Sequence, residues 1–157
     1  MKPEPNLPDV RVREAAPEGD LLAALLRLSA LWEAENNCRG YRVNTPDDLD
    51  GRRVWIAEEN GKPIGYLFGI FENSGEKGTS VIPAGTECFE VEELYVIPSR
   101  RSRGVGTRLF RTAQESVRER AEYLTLSTAT KDHRAILRFY LEELGMEFWS
   151  ARLFKKL

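Results

Sequence analysis

The sequence has few of the residues that build metal centres and disulfide frameworks. It contains one histidine, His133, which excludes a multi-histidine metal site and argues against a Ser-His-Asp triad. Two cysteines, Cys38 and Cys88, cannot make a disulfide framework, and nothing near them has metal-ligand spacing. We therefore expect no bound metal and a protein suited to a reducing cytoplasm.

Long apolar runs and the glycine signatures of nucleotide-binding folds are also missing. No apolar run approaches the ~20 residues of a membrane span, and the polar, proline-rich start of the chain does not resemble a secretion signal. The patterns Gly-x-Gly-x-x-Gly and Gly-Lys-(Ser/Thr) do not occur. We expect a cytoplasmic protein without a membrane partner, and we exclude dinucleotide-binding and P-loop folds.

The size and composition suit a single globular unit. The chain has 157 residues, of which 41% are hydrophobic and 31% are charged, as in ordinary soluble domains. We expect residues 1–8 to be a flexible tail and residues 9–157 to be one domain. Residues 72–86 are rich in glycine and serine, so we expect a long mobile loop there.

The spacing of apolar residues predicts alternating strands and helices. Strands are predicted at residues 10–13, 54–57, 64–71, 89–96 and 123–128, with one or two more at 146–155. Helices are predicted from Leu21, at Thr45-Pro46-Asp47-Asp48, from Gly104 and over residues 134–144. The Asn60-Gly61 pair indicates a hairpin. This order predicts an α/β fold with a mixed central sheet and helices on both faces.

The segment Arg101-Ser102-Arg103-Gly104-Val105-Gly106 lies between an apolar strand with acidic residues and a long amphipathic helix. Gly104 and Gly106 let the backbone approach a ligand closely. The unpaired N–H groups at a helix start attract phosphates, and Arg101 and Arg103 add guanidinium donors. The segment therefore predicts a site for a phosphorylated ligand.

Charge is unevenly distributed along the chain, although the net charge is only −2. Arginines concentrate in residues 100–120 and glutamates in residues 87–93. This arrangement suits an anionic cofactor that meets a cationic acceptor. The arginines could also form a nucleic-acid patch, but the chain is slightly acidic overall, so we expect no nucleic acid.

Two blocks of sequence resemble the GNAT family of N-acetyltransferases. Arg101-x-x-Gly104-x-Gly106 is similar to the family's acyl-CoA loop, (Arg/Gln)-x-x-Gly-x-(Gly/Ala). The second block is Ala135-Ile136-Leu137-Arg138-Phe139-Tyr140, followed by Leu144-Gly145-Met146. Both blocks in this order are far more specific than either alone. The resemblance covers residues 10–157 and implies the acyl-CoA N-acyltransferase fold, with a mostly antiparallel sheet of six to seven strands.

The resemblance also implies an activity. It implies that acetyl-CoA is the cosubstrate and that the acetyl group moves to a primary amine of a small cationic molecule or peptide. Glu92-Glu93-Leu94-Tyr95-Val96 is similar to the strand of polyamine and small-amine acetyltransferases. A polyamine, an aminoglycoside or a peptide N-terminus would each suit the acidic cluster. Neither block contains cysteine, so we expect direct transfer in a ternary complex.

By the same resemblance, Glu92 is the general base, acting through water, and Tyr140 is the general acid for the CoA thiolate. The residues implied for cofactor binding are Leu94, Val96, Arg101, Ser102, Arg103, Gly104, Val105, Gly106, Thr107, Asp132 and Phe139. Those implied for acceptor binding are Glu93, Trp32, Glu35 and Tyr41. Asp132 stands where the family often has asparagine, so its side chain cannot donate an amide N–H.

The required chemistry agrees with these assignments and leaves alternatives open. An amine must lose a proton before it attacks a thioester, and a partly buried carboxylate can accept that proton. Glu92 and Glu93 would face opposite sides of a regular strand, and a β-bulge would re-aim both. Glu90, Glu92 and Glu93 could instead border a solvated strand, and Tyr140 could be a core aromatic.

Two alternative functions and one possible assembly concern the whole protein. The chain could bind acyl-CoA as a sensor without turnover, or it could be a nucleic-acid module. A terminal strand at Arg152-Leu153-Phe154-Lys155 could pair across a homodimer.

Overall fold

A five-stranded sheet forms the centre of the molecule. In the computed structural model, which describes residue 3 and residues 5–157, the strands lie side by side in chain order. They are β1 (Val10–Glu14), β2 (Arg53–Glu59), β3 (Lys62–Asn73), β4 (Glu87–Val96) and β5 (Tyr123–Leu126). Strands β1 to β4 pair antiparallel, and β5 pairs parallel to β4.

Four helices cover the sheet. They are α1 (Gly19–Glu35), α2 (Pro46–Leu49), α3 (Val105–Val117) and α4 (His133–Arg138), and α4 continues as a π-helical turn over Phe139–Glu143. One apolar cluster joins α3 to one face of the sheet through Val105, Leu109 and Phe110. The other joins α1 and α2 to the opposite face through Leu25, Leu28 and Leu49. The predicted α/β class with helices on both faces is confirmed.

The β2–β3 hairpin forms where the sequence predicts it. Glu59 pairs with Lys62, so Asn60 and Gly61 alone make the loop. Both residues have positive φ, +50° and +77°. A two-residue type I′ hairpin turn requires positive φ at both positions, and asparagine and glycine tolerate it. The turn therefore sets the pairing of Glu58 and Glu59, and the register shifts between Glu58 and Ala57.

The predicted count of six to seven strands is wrong, because the described residues form five. Residues 146–157 contain no strand, although apolar and polar residues alternate there. Leu153 is 94% exposed and Phe154 is 77% exposed, so neither side chain packs on the sheet. A strand needs a hydrogen-bonding neighbour as well as a suitable sequence, and here β5 has none beyond β4. Pairing across a homodimer stays a prediction.

The loop and the N-terminal tail that the sequence predicts to be mobile both include residues with hydrogen bonds. In residues 74–86, Ser74 Oγ donates to the carbonyl of Pro83 at 2.6 Å and accepts from the N–H of Thr86 at 2.9 Å. The predicted tail, residues 1–8, includes residues 1, 2 and 4, which lie outside the described residues. Within the described part, Arg108 donates to the carbonyls of Pro5 and Leu7 at 2.6 and 3.0 Å. No helix of that part is long and apolar enough to span a membrane.

Leu109 on α3 is fully buried in the first apolar cluster, and its truncation should destabilise the fold. We expect Leu109→Ala to lower the free energy of unfolding by about 2–5 kcal/mol, because it leaves a cavity. Leu31→Ala on α1 is the matched control, since Leu31 is 51% exposed, and it should stay within about 0.5 kcal/mol. Urea denaturation measures both variants, and equal losses would contradict this account of the core.

Candidate active site

A β-bulge in β4 determines where the acidic side chains point. Phe68 of β3 pairs with Glu93, and the next residue, Gly69, pairs with Val91, so Glu92 is an extra residue. Gly69 lies so close to the backbone of Glu90 that a Cβ would collide with its carbonyl oxygen. The β-bulge that the sequence analysis considered for Glu92 and Glu93 is therefore present.

The bulge shifts the alternation of β4 by one residue. Phe89 and Val91 contact the α3 side, and after the bulge Leu94 and Val96 contact that same side. Glu93 consequently points to the α1 side, the side on which Tyr66 and Tyr95 pack. A strand without the bulge would have placed Glu93 on the α3 side.

The end of β4 has one unpaired edge. Pairing with β5 stops at Val91, although β4 continues to Val96. The N–H of Ile97 donates to Ile64 of β3 at 2.9 Å, so by alternation the backbone groups of Val96 and Leu94 face away from β3. The opening between β4 and β5 therefore leaves this stretch of β4 without a strand partner on that side among the described residues, although the Val96 carbonyl accepts from Arg101.

The segment after α1 and the segment after β5 are hydrogen-bonded to each other. The N–H of Arg39 donates to the carbonyl of Ala129 at 2.9 Å, and the N–H of Lys131 donates to Asn37 at 2.8 Å. The loop after α1 and the segment after β5 are thereby joined. This pairing bounds the opening without closing the edge of β4.

Glu93 lies half-buried among neutral hydrogen-bond donors. Its Oε2 accepts from the hydroxyl of Tyr66 at 2.7 Å, the amide of Asn44 at 2.9 Å and the hydroxyl of Tyr41 at 3.2 Å. Its Oε1 accepts no hydrogen bond from any described residue. One oxygen is thus fixed by the protein, and the other is available to a ligand or to water.

The surroundings of Glu93 favour its protonated form more than water does. Burial raises the pKa of the Glu93 carboxyl, the three hydrogen bonds oppose this shift, and the charge of Glu92 adds to it. The same burial raises the pKa of Tyr41 to about 12. Glu93 therefore has a carboxyl pKa raised by burial, as is common for carboxylates that take part in proton transfer.

A cavity of about 270 Å³ adjoins Glu93 on the α1 side. Five charged residues line it: Arg42, Asp48, Arg52, Glu92 and Glu93. The rest of its wall consists of Gly40, Tyr41, Asn44 and Phe68. Arg42 holds the pKa of Asp48 well below its usual range. The cavity is large enough for a small amine and has a carboxylate at its inner wall.

The glycine loop and the start of α3 border a second, smaller cavity of about 170 Å³. Arg103, Gly104, Thr107 and Arg111 contribute to its wall. Gly104 has φ of +96° and precedes the first turn of α3, and the N–H of Arg108 is the first to bond back to it. The preceding amides of α3 are left to bind an anion.

Arg101 makes contacts different from those of its neighbours in the loop. Its guanidinium forms two 2.7 Å hydrogen bonds with the carboxylate of Glu35, and its Nε donates to the carbonyl of Val96 at 2.8 Å. The guanidinium also lies 5.5 Å from the ring centre of Tyr95. Arg101 therefore joins the end of α1 to the open edge of β4.

Comparison with known proteins shows the family to which the chain belongs. The profile of the Acetyltransferase (GNAT) family matches residues 22–146, which is most of the chain. The chain belongs to this family. An uncharacterised N-acetyltransferase of Methanocaldococcus jannaschii is 28% identical over 103 residues, covering 64% of this chain. The chain spans only 40% of that relative's length.

Solved structures show that the GNAT chain has the fold of other acetyltransferases. An aminoglycoside acetyltransferase from an uncultured soil metagenomic sample, in complex with sisomicin, superposes with a TM-score of 0.67 at 16% identity. The superposition covers 95% of this chain and 97% of that one. A predicted acetyltransferase with acetyl-CoA from Clostridium acetobutylicum gives 0.65 at 18% identity, covering 94% and 96%. At these identities the likeness concerns the fold alone.

The structure brings some of the predicted acceptor-site residues together. Glu92, Glu93 and Tyr41 share the larger cavity. Trp32 stacks on Tyr41 with 4.3 Å between ring centres and supports it from behind. Glu35 instead pairs with Arg101 and does not line that cavity.

Several of the predicted cofactor residues make structural contacts near α3 and α4. A Cβ on Gly106 would lie 3.4 Å from the ring of Phe139, so this glycine lets the two sequence blocks pack together. Val105 is buried beneath the loop, and Ser102 turns it with φ of +60°. Asp132 caps α4 by accepting from the N–H of Ala135 at 3.4 Å.

Tyr140 is separated from the acidic cavity by the sheet. It packs on the α3 side, with its ring centre 5.2 Å from that of Phe139 and 6.4 Å from that of Phe110. Burial raises its pKa to about 12, so the phenol keeps its proton at neutral pH. Glu93 and Tyr140 thus lie on opposite faces of the sheet.

Sequence reasoning missed the residues that surround Glu93. Tyr66 is a tyrosine within an apolar strand, and its hydroxyl needs a partner when buried. Asn44 precedes the Thr45 cap, and Arg52 follows α2. The broken alternation from Val91 to Leu94 is the sequence signal that could have located the bulge.

The raised pKa of Glu93 should appear in the stability of the protein. Between the unfolded value of about 4.3 and the raised folded value, the folded state holds a proton that the unfolded state has lost. The free energy of unfolding contributed by Glu93 therefore falls as pH rises through this window. Glu93→Gln removes this contribution, so its stability relative to wild type should increase with pH. Urea denaturation across pH 4–8 measures the difference, and a pH-independent difference would contradict the shift.

Proposed function

We propose that the chain is an acetyl-CoA-dependent N-acetyltransferase that moves the acetyl group directly to a primary amine of a small cationic molecule or peptide. The observation that carries this proposal is Glu93: a half-buried carboxylate with a raised pKa, one free oxygen and an adjoining cavity. It lies on a strand whose next residues have an unpaired edge. Family membership supports the reaction class.

The backbone and the glycine loop suit the cosubstrate. Leu94 and Val96 would pair with the pantetheine arm along the open edge of β4, and the amides at the start of α3 would bind the pyrophosphate. Arg103 and Arg111 stand at the smaller cavity beside those amides. The carbonyl of Val96 is bonded to Arg101, so Arg101 would have to release it for full pairing.

The proton balance can be written with two side chains. Glu93 takes a proton from the ammonium, directly or through water, which frees the lone pair of the amine. The nitrogen attacks the thioester carbonyl, the C–N bond forms and the C–S bond breaks. Tyr140 gives its proton to the departing thiolate. The nitrogen loses its second proton after the C–N bond has formed, and that proton returns through water to the Tyr140 phenolate. Glu93 then releases its proton to solvent, so both side chains are restored. The N–H of Val96 faces the opening, where it could stabilise the oxyanion of the intermediate.

Glu92 is the base that the family resemblance implies, and the contacts favour Glu93 instead. Glu92 forms a two-bond ion pair with Arg52, at 2.8 and 3.0 Å, and both side chains are between a quarter and a third exposed. Both oxygens of Glu92 are thus engaged by the guanidinium of Arg52. Glu93 has only neutral donors around it.

The two glutamates can be separated by matched variants. We expect Glu93→Gln to lower kcat/KM about 100- to 10,000-fold, because general-base catalysis is lost. Glu92→Gln should lower it less than about tenfold, because a partly exposed ion pair contributes little. Thiol release from acetyl-CoA with a panel of primary amines measures both. The reverse order would restore Glu92 as the base.

Tyr140→Phe tests the proposed acid. The variant keeps the ring that packs on Phe110 and removes only the hydroxyl, so the fold should be unchanged. We expect kcat to fall about 100-fold and the dissociation constant of CoA to stay within about threefold, because the hydroxyl acts on the leaving group. Phe139→Leu is the matched control for packing, and it should impair CoA binding at Gly106. Full activity in Tyr140→Phe would exclude the phenol as the acid.

A sensor that binds acyl-CoA without turnover is distinguished by the same assay. Calorimetry with acetyl-CoA tests the cofactor site, and thiol release with the amine panel tests the reaction. Binding without release by any amine would overturn the enzymatic proposal. Affinity for nucleic acid that falls with salt would point to the other alternative.

A further inference from the structure

The charges in the larger cavity are paired in an unequal way. Arg42 binds Asp48 through two hydrogen bonds of 2.8 Å, and Arg52 binds Glu92 through bonds of 2.8 and 3.0 Å. Four of the five charged residues therefore neutralise one another within the cavity wall. Glu93 is the fifth, and no described cation pairs with it.

The partners of Glu93 do not change this balance. Tyr41, Tyr66 and Asn44 donate hydrogen bonds to Oε2, and all three are neutral. With both arginines and all three carboxylates ionised, the cavity carries one net negative charge. A single ammonium at Glu93 Oε1 would compensate it completely.

A second ammonium would find no free carboxylate in this cavity. It would have to break the pair between Arg52 and Glu92 or the pair between Arg42 and Asp48. Either exchange leaves a guanidinium unpaired beside the ligand, and because both pairs are partly exposed, the cost is a few-fold in binding. The cavity therefore discriminates by charge number as well as by size.

We propose that the acceptor carries one cationic centre, the reacting amine itself, so that monoamines and peptide N-termini are accepted and polyamines and aminoglycosides are not preferred. This inference rests on the proposed function, because it names the acceptor class of the same site. Its physical basis is the pairing of Arg52 with Glu92, which removes the charge that a polyamine would need.

Three amines of equal carbon number test the inference. Butylamine has one cationic centre, putrescine has two, and 4-aminobutanoate adds a carboxylate to one. The full chain saturated with CoA is titrated with each by calorimetry, so that no turnover occurs. We expect putrescine to bind no more than about twice as tightly as butylamine, the factor that its two equivalent ends supply. We expect 4-aminobutanoate to bind no more tightly than butylamine, because both arginines are already paired.

Substitution of Arg52 should change this preference. Arg52→Gln leaves Glu92 unpaired, so putrescine should gain about three- to fivefold over butylamine. Glu92→Gln leaves Arg52 unpaired, so putrescine should lose by a similar factor, which keeps the test decisive if either variant fails to fold. Arg118→Gln is the matched control, because it breaks an exposed ion pair with Glu115 on α3, and it should leave the ratio unchanged.

The outcomes separate this inference from the proposed function. Tighter binding of putrescine by wild type, by about tenfold or more, overturns the single-cation inference, as does a ratio unchanged in both cavity variants. Binding of the expected pattern without thiol release overturns the enzymatic proposal alone. Thiol release with putrescine strongly preferred overturns the inference alone, and absence of both binding and release overturns both.

Discussion

Strand β4 carries one more residue than its partner β3 can pair, and the candidate site depends on that excess. The extra residue, Glu92, shifts the alternation, so Glu93 turns to the α1 side while Leu94 stays on the α3 side. Beyond the bulge, β4 pairs with no strand on its β5 side within the part of the chain that the structure describes. A carboxylate and an open backbone edge therefore arise at the same place. Gly69 permits this, because only a residue without Cβ fits against the Glu90 carbonyl.

Electrostatics then gives neighbouring glutamates different roles. Glu92 is held by a guanidinium and stays near solvent, whereas Glu93 is held by hydroxyl and amide groups in a half-buried position. Burial without a paired cation raises the pKa of the Glu93 carboxyl. The pairing of Arg52 with Glu92 sets the net charge of the cavity. One ion pair thus bears on both the choice of base and the choice of acceptor.

Much of the architecture was readable from local patterns. The Asn60-Gly61 turn, the amphipathic α3 and the helix containing Tyr140 follow from short-range preferences and from spacing. The predicted terminal strand is wrong, because alternation of apolar and polar residues indicates only that a segment could pair. Whether a neighbouring strand is in place is a property of the whole sheet. The GNAT resemblance pointed to the glycine loop and to Tyr140, and their roles stay predictions.

The residues around Glu93 show which features follow from contiguous sequence and which follow only from tertiary contacts. The sequence specified the acidic strand, the glycine loop and their order, because these are properties of contiguous residues. Tertiary structure alone brought Tyr41, Asn44 and Tyr66 onto one oxygen of Glu93, since they come from three separate segments. It also paired Arg52 with Glu92, forty positions apart. Burial and ion pairing are long-range effects, so the protonation and charge of the site emerge only when the chain has folded.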